Sequence, residues 1–97
     1  MYGSVARLRL KPGAEARMQE LSKEFEEARV PGYVSELVFK LDSGSDEYML
    51  AIVFESKEAY LANANDPAQQ ARYAQYAELM AAAPEWNDGE VVYQHSA

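Results

Sequence analysis

Between Glu47 and Tyr60 the chain reads Glu-Tyr-Met-Leu-Ala-Ile-Val-Phe-Glu-Ser-Lys-Glu-Ala-Tyr, a strand that is apolar on both faces and runs through a serine into a helix. Alternate residues of a strand point to opposite faces, so Tyr48, Leu50, Ile52 and Phe54 line one side while Met49, Ala51 and Val53 line the other. A small antiparallel sheet usually leaves one face wet. A strand with two apolar faces therefore belongs at the centre of its sheet, with something packed on each side.

Upstream, Tyr2 to Leu10 alternates Ala6, Leu8 and Leu10 against Val5, Arg7 and Arg9, a strand with one apolar and one mixed face that Lys11-Pro12-Gly13 ends. Between Ala14 and Ala28 the residues Met18, Leu21, Phe25 and Ala28 fall at helical spacing, leaving most of the glutamates to the opposite face. Val30-Pro31-Gly32 breaks this helix. A second strand from Tyr33 to Leu41 carries Tyr33, Ser35, Leu37, Phe39 and Leu41 on one face and Val34, Glu36, Val38 and Lys40 on the other. Asp42-Ser43-Gly44-Ser45-Asp46 is turn chemistry and joins this strand to the Glu47 strand as an antiparallel hairpin. Ser56 caps a short helix that reaches Asn63 or Ala64. Asp66 and Pro67 start another, with Gln69 completing a capping-box pattern and Tyr73, Tyr76, Ala77 and Met80 on one stripe; its end is expected near Ala83. Trp86, Asn87, Asp88 and Gly89 read as a loop. Glu90 to His95 reads as the last strand, with Val91, Tyr93 and His95 on one face.

The order strand, helix, strand, strand, helix pair, strand is that of a ferredoxin-like α+β sandwich, a four-stranded antiparallel sheet with helices on one face and the first and third strands in the centre. Residues 1–97 are expected to form one such domain. The sheet face away from the helices would carry either Val5, Val34, Val38, Met49, Ala51 and Val53 or their opposites, more apolar surface than a monomer usually exposes. Burying several hundred Å² of it at roughly 25 cal/mol per Å² is a large term beside a net stability of about 5–15 kcal/mol. A homodimer with sheet packed on sheet is expected.

Charge and residue usage narrow the partners. Nine basic residues stand against 16 acidic ones, a net charge of -7, which disfavours a nucleic-acid backbone or an anionic membrane surface. With no cysteine there are no disulfides, thiolate metal sites or cysteine nucleophiles. Neither a basic stretch leading into an apolar run nor about 18 uninterrupted apolar residues occurs, so a soluble cytoplasmic protein is the expectation.

The run Phe54-Glu55-Ser56-Lys57-Glu58-Ala59-Tyr60-Leu61-Ala62-Asn63, followed by Asn65-Asp66-Pro67 and preceded by Pro31-Gly32-Tyr33, resembles the antibiotic biosynthesis monooxygenase-like family of dimeric α+β barrels. In that family the strand commonly ends in Trp and is followed by a Ser-x-Glu-Ala-Leu-like helix start, then His, then Ser-Pro. Phe54 stands here at the Trp position, Tyr60 at the Leu, Asn63 at the His and Asp66-Pro67 at the Ser-Pro. The resemblance implies a cofactor-independent monooxygenase acting on an aromatic or quinol-type small molecule, with a non-catalytic dimeric ligand-binding or accessory protein as the alternative. Some family members degrade haem, but that chemistry wants a helical His as iron ligand, and Asn63 is a poor substitute; no cofactor is expected.

Oxygenation of an activated phenol without a cofactor needs a dry pocket and a base or hydrogen-bond donor to stabilise the phenolate. Asn63, Tyr76 and His95 are the candidate catalytic residues, His95 because it is the one histidine and titrates near neutrality. Tyr33, Phe54, Arg72, Tyr73 and Trp86 are the candidate substrate contacts. No metal ligand set shows itself, since one His and scattered carboxylates lack ligand spacing. Arg7 and Arg9 are expected to neutralise Glu36 in the sheet interior or across the dimer, because a buried charge left unpaired is costly, with binding of an acidic substrate as the alternative.

Overall fold

The computed structural model describes residues 1–44 and 46–97, so Ser45 of the expected hairpin turn lies outside the described residues. The elements are β1 (Tyr2–Arg9), α1 (Glu15–Glu27), β2 (Tyr33–Lys40), β3 (Glu47–Phe54), α2 (Lys57–Ala64), α3 (Pro67–Ala77) and β4 (Glu85–Glu90). They form one sheet in the order β2-β3-β1-β4, with every neighbouring pair antiparallel. The strand that is apolar on both faces is thus an inner one. Its ladder to β1 runs unbroken from Tyr2 opposite Phe54 to Arg9 opposite Glu47.

Directly opposed residues share a face, and the register therefore sorts the whole sheet. On the helix side Tyr48, Leu50 and Phe54 of β3 are buried beside Ala6 and Leu8 of β1, and Met18, Leu21 and Phe25 of α1 close over them. On the other side Val5, Leu37 and Phe39 stand exposed, with the half-buried Met49, Ala51 and Val53 between them. This outer set is neither of the two expected from simple alternation. The hairpin register pairs Leu37 with Ala51 and Phe39 with Met49, which puts these two rather than Val38 outside; separately, Tyr33 and Ser35 pair with the consecutive residues Phe54 and Val53 and leave Val34 as an extra residue. Tyr33 consequently shares the helix face with Glu36 and Val38 rather than the face of Leu37 and Phe39.

The helix starts follow their caps. The Ser56 hydroxyl accepts from the Ala59 amide at 3.1 Å, and the Asp66 carboxylate accepts from the Ala68 amide at 2.9 Å. The capping box does not form, because Gln69 Oε1 instead accepts from Arg72 Nε at 3.0 Å. Helix α3 stops at Ala77 rather than near Ala83. The backbone past it is taken by the strand side: the Lys11 amide donates to the Leu79 carbonyl and the Ala81 amide to the Arg9 carbonyl, both at 2.8 Å, and Met80 is buried in the core as Leu10's bridge partner.

The last strand is also displaced. Residues 86–89, with their turn-like Asn-Asp-Gly, lie within β4, because β1 offers a free edge and pairs Ala6 with Trp86, Ser4 with Asp88 and Tyr2 with Glu90. Residues 91–97 have no regular structure, with Val92 and Tyr93 exposed. Arg7 and Arg9 do not meet Glu36; they hold Glu47 on the outer face at 3.5 and 2.9 Å, while Glu36, opposite Ile52, is on the helix side. Among the described residues no helix is long and apolar enough to cross a membrane.

Gly32 fixes where α2 sits. Its φ of 81° lies in the left-handed region, and a Cβ there would come within 2.5 Å of Ala59 Cβ on α2. Gly32→Ala is expected to lower unfolding free energy by about 1–3 kcal/mol, from left-handed strain and overpacking together, as measured by urea denaturation. An unchanged midpoint would show that α2 does not lean on this turn.

Candidate functional site

The core is dense where α1 and the Met80 segment cover the sheet and opens where α2 and α3 do. Helix α3 buries no residue completely, and between it and the sheet lie two cavities that share Ile52, Gln69, Tyr73 and Trp86 in their walls. The one toward α2 measures about 330 Å³ and is completed by Phe54, Tyr60, Asn63 and Asp88. The one toward α1 measures about 90 Å³ and takes in Phe25, Glu36, Leu50, Arg72 and Tyr76. The larger is within the size range of small-molecule sites.

Aromatic rings make up much of the surround. Phe54, fully buried, lies edge-on to Tyr33 at 6.0 Å and to Tyr60 at 5.7 Å between centroids; Tyr33 in turn meets Phe25 at 5.0 Å. Tyr73 and Trp86 face each other at 6.3 Å across the shared wall, both partly exposed. The Arg72 guanidinium sits 5.7 Å from the Phe25 ring centroid. Ring pairs at such separations favour edge-to-face packing and hold their positions tightly.

Against this apolar wall the polar atoms stand out. Asn63 Oδ1 and the Tyr76 hydroxyl are buried without a protein hydrogen-bond partner. Such atoms typically cost about 1–3 kcal/mol each. Burial pushes the Tyr76 hydroxyl well above its ordinary pKa, and the Glu36 carboxylate adds to this, so Tyr76 keeps its proton at neutral pH. Tyr60 is raised to about 12, first by burial and then by the bond it donates to Asp88 Oδ1 at 3.0 Å. Glu36 is raised by burial, partly offset by the Ser22 hydroxyl.

Seven of the eight residues singled out from the sequence gather around this region. Phe54, Asn63, Tyr73 and Trp86 line the larger cavity, and Arg72, Tyr73, Tyr76 and Trp86 the smaller. Tyr33 lines neither but supports Phe25 and Phe54 from behind, on the side of a separate open groove between α1 and β2. His95 is exposed in the tail and lines none of these cavities. Sequence reasoning did not place Glu36, Tyr60 or Asp88 at the site. A charged residue between Val34 and Val38 was the available sign for Glu36, whereas the Tyr60–Asp88 bond joins residues far apart in the chain. The cavity walls contain no His or Cys, so haem iron finds no imidazole or thiolate ligand there, and no cluster of metal-binding residues occurs among the described residues.

A family profile described as antibiotic biosynthesis monooxygenase matches residues 1–75. The chain belongs to that family. The matched span includes Tyr33, Phe54, Asn63, Arg72 and Tyr73, and ends one residue before Tyr76. Among solved structures, the cofactor-independent oxygenase SnoaB of Streptomyces nogalater, in a variant with one asparagine replaced by alanine, is similar at 17% identity with a TM-score of 0.80, covering 96% of this chain and 94% of that one. A family protein of Chloroflexus aurantiacus reaches 25% identity and 0.79, covering 98% and 96%. Another, of Caulobacter crescentus, reaches 20% and 0.79, covering 95% and 90%. These likenesses establish the fold. No curated protein sequence matches the chain.

The raised Glu36 has a consequence for stability. Its folded pKa lies above the ordinary 4.5. The folded state therefore holds the proton more tightly than the unfolded chain, and stability falls as pH rises from the unfolded pKa through the folded one. Glu36→Gln removes that loss. Its melting temperature is expected to exceed that of the wild type at pH 7, with the difference shrinking toward zero at pH 4; an equal difference at both pH values would contradict the burial of the charge.

Proposed function

We propose that this chain is a cofactor-independent monooxygenase for an aromatic, phenol- or quinol-type small molecule, working in the cavities between the sheet and helices α2 and α3. The observation that carries this is a pair of buried, unpartnered polar atoms, Asn63 Oδ1 and the Tyr76 hydroxyl, in walls otherwise rich in aromatic rings. A flat aromatic ligand with a hydroxyl group would satisfy both requirements at once. Family membership and the shared fold with an oxygenase that needs no cofactor favour the same chemistry.

In such a reaction the substrate carries the electronic burden. Once its hydroxyl is ionised, the electron-rich ring carbon reacts with dioxygen; one oxygen atom stays as a ring carbonyl and the other leaves as water, formed with the hydrogen of that carbon and the proton released from the hydroxyl. The protein has to hold the ring, keep water out and stabilise the oxyanion. Trp86 and Tyr73 supply ring contact, Phe54 the floor, Arg72 a cation at the α1 end, and Tyr33 support behind Phe54. Asn63 and Tyr76 hydrogen-bond the reacting oxygens. His95, in the tail, has no part in the single chain.

The functional unit is a homodimer through the outer sheet face, where Leu37 is 61% exposed and Phe39 56% exposed. Leu37→Glu with Phe39→Glu is expected to give a monomer by sedimentation at micromolar concentration where the wild type is a dimer. A wild-type monomer would dispose of the interface.

Oxygen uptake with a panel of anthrones and hydroquinones tests the activity. Turnover is expected, and Asn63→Ala, which removes the Oδ1 acceptor for a substrate hydroxyl, should weaken substrate binding by about 10-fold. Saturable binding without oxygen consumption across the panel would favour a ligand-binding or accessory protein instead.

A further inference from the structure

The geometry points to Glu36 as the general base that takes the substrate's hydroxyl proton, with Tyr76 as the donor that holds the resulting oxyanion; this rests on the proposed oxygenase function. Glu36 is set into the helix side of the sheet, opposite Ile52, and lines the same cavity as the unpartnered Tyr76 hydroxyl. Among the described residues it makes no ion pair, and Arg7 and Arg9 are on the opposite face with Glu47. Glu36 also lines the open groove between α1 and β2, yet no cation of the described residues pairs with it, and a half-buried carboxylate without a partner has its desolvation unrepaid.

The surrounding charges leave it free. From β2 itself, Lys40 is bound to Glu15 of α1 at 3.3 Å. On α1, Lys23, Glu24 and Glu26 are exposed, and Ser22 offers a hydroxyl. The Tyr48 hydroxyl of β3 donates a hydrogen bond to Glu15 Oε1 at 2.8 Å. From α3, Arg72 donates to Gln69 and stacks on Phe25, while Tyr73 and Tyr76 present neutral hydroxyls. Tyr33 flanks Glu36 and is itself pushed up, first by burial and then by Glu36 and Glu26.

The step is a proton transfer. The substrate O–H bond breaks, its electron pair stays on the substrate oxygen, and the proton goes to a carboxylate oxygen of Glu36. Tyr76 O–H then donates to that oxyanion. Burial serves both partners, raising the basicity of Glu36 and keeping Tyr76 protonated. Dioxygen then adds to the ring carbon, and the proton held by Glu36 passes to the departing oxygen as water forms, which restores the carboxylate.

The test is steady-state oxygen uptake against pH for wild type, Glu36→Gln and Tyr76→Phe, with affinity for a hydroxyanthraquinone product analogue measured beside it. The wild-type kcat/KM is expected to fall at acid pH with an apparent pKa above 4.5. Glu36→Gln should lose about 100-fold or more in kcat and lose that acid limb, while binding the analogue within about threefold of wild type. Tyr76→Phe should lower kcat while keeping the acid limb. An active wild type with a Glu36→Gln variant of equal kcat and unchanged pH profile overturns the role of Glu36 alone. A wild type that consumes no oxygen with any substrate overturns both the oxygenase function and this role. Loss of analogue binding in Glu36→Gln would reassign Glu36 to holding the ligand and so overturn it as the base.

Discussion

The fold depends on the unbroken ladder between β1 and β3. Eight consecutive pairs, from Tyr2 with Phe54 to Arg9 with Glu47, fix which side chains share a face. A slip of one residue would either move Leu50 and Phe54 to the outside or bring Arg7 and Arg9 in under the helices. Once the ladder is set, β2 and β4 have only the outer edges to occupy, and the helices have only one sheet face to cover. The free edge of β1 also explains why β4 takes in Trp86, whose local sequence favours a turn: ladder hydrogen bonds from Tyr2 to Arg7 outweigh a weak local preference.

The same register divides charge from chemistry. Directly opposed residues share a face, so Arg7 opposite Met49 and Arg9 opposite Glu47 belong outside, while Glu36 opposite Ile52 belongs inside. Glu47 is held below its ordinary pKa, first by its bond from Arg9, on the exposed side where pairing adds little to stability. Among the described residues Glu36 has no such partner. Two carboxylates of one sheet thus have opposite environments, one paired in water and one unpaired under cover, and only the second is poised to gain a proton.

Much of this was legible in the sequence. Alternation in β3 gave its central position, glutamate-rich helical spacing gave α1, and Ser56 and Asp66 gave the starts of α2 and α3. What alternation could not give was anything that crosses between strands. The extra residue at Val34 turns Tyr33 onto the face of Glu36, and no residue pattern within β2 announces it. The end of α3 was equally hidden, because Leu79 to Ala81 leave the helix for hydrogen bonds to Arg9 and Lys11, about seventy positions away in the chain. Of the site, the residues that helical or strand periodicity aims at the core, Phe54, Tyr73 and Tyr76, were identifiable; Glu36, Tyr60 and Asp88 become neighbours of the cavity only through pairing and packing.

The early end of α3 ties the two halves of the helix layer together. By leaving the helix, the chain buries Met80 against Leu10 and seals the α1 end of the core, where Leu8, Met18 and Leu50 already pack densely. Helix α3 itself is left short, with Tyr73 and Tyr76 reaching toward the sheet but no residue completely buried. Dense packing holds side chains in single rotamers, whereas a loosely covered wall leaves room for a ligand. Glu36 and Tyr76 lie at the boundary between these regimes. Their positions are therefore set by the rigid half while their polar atoms face the open one, an arrangement suited to a preorganised base and donor rather than to a stabilising contact.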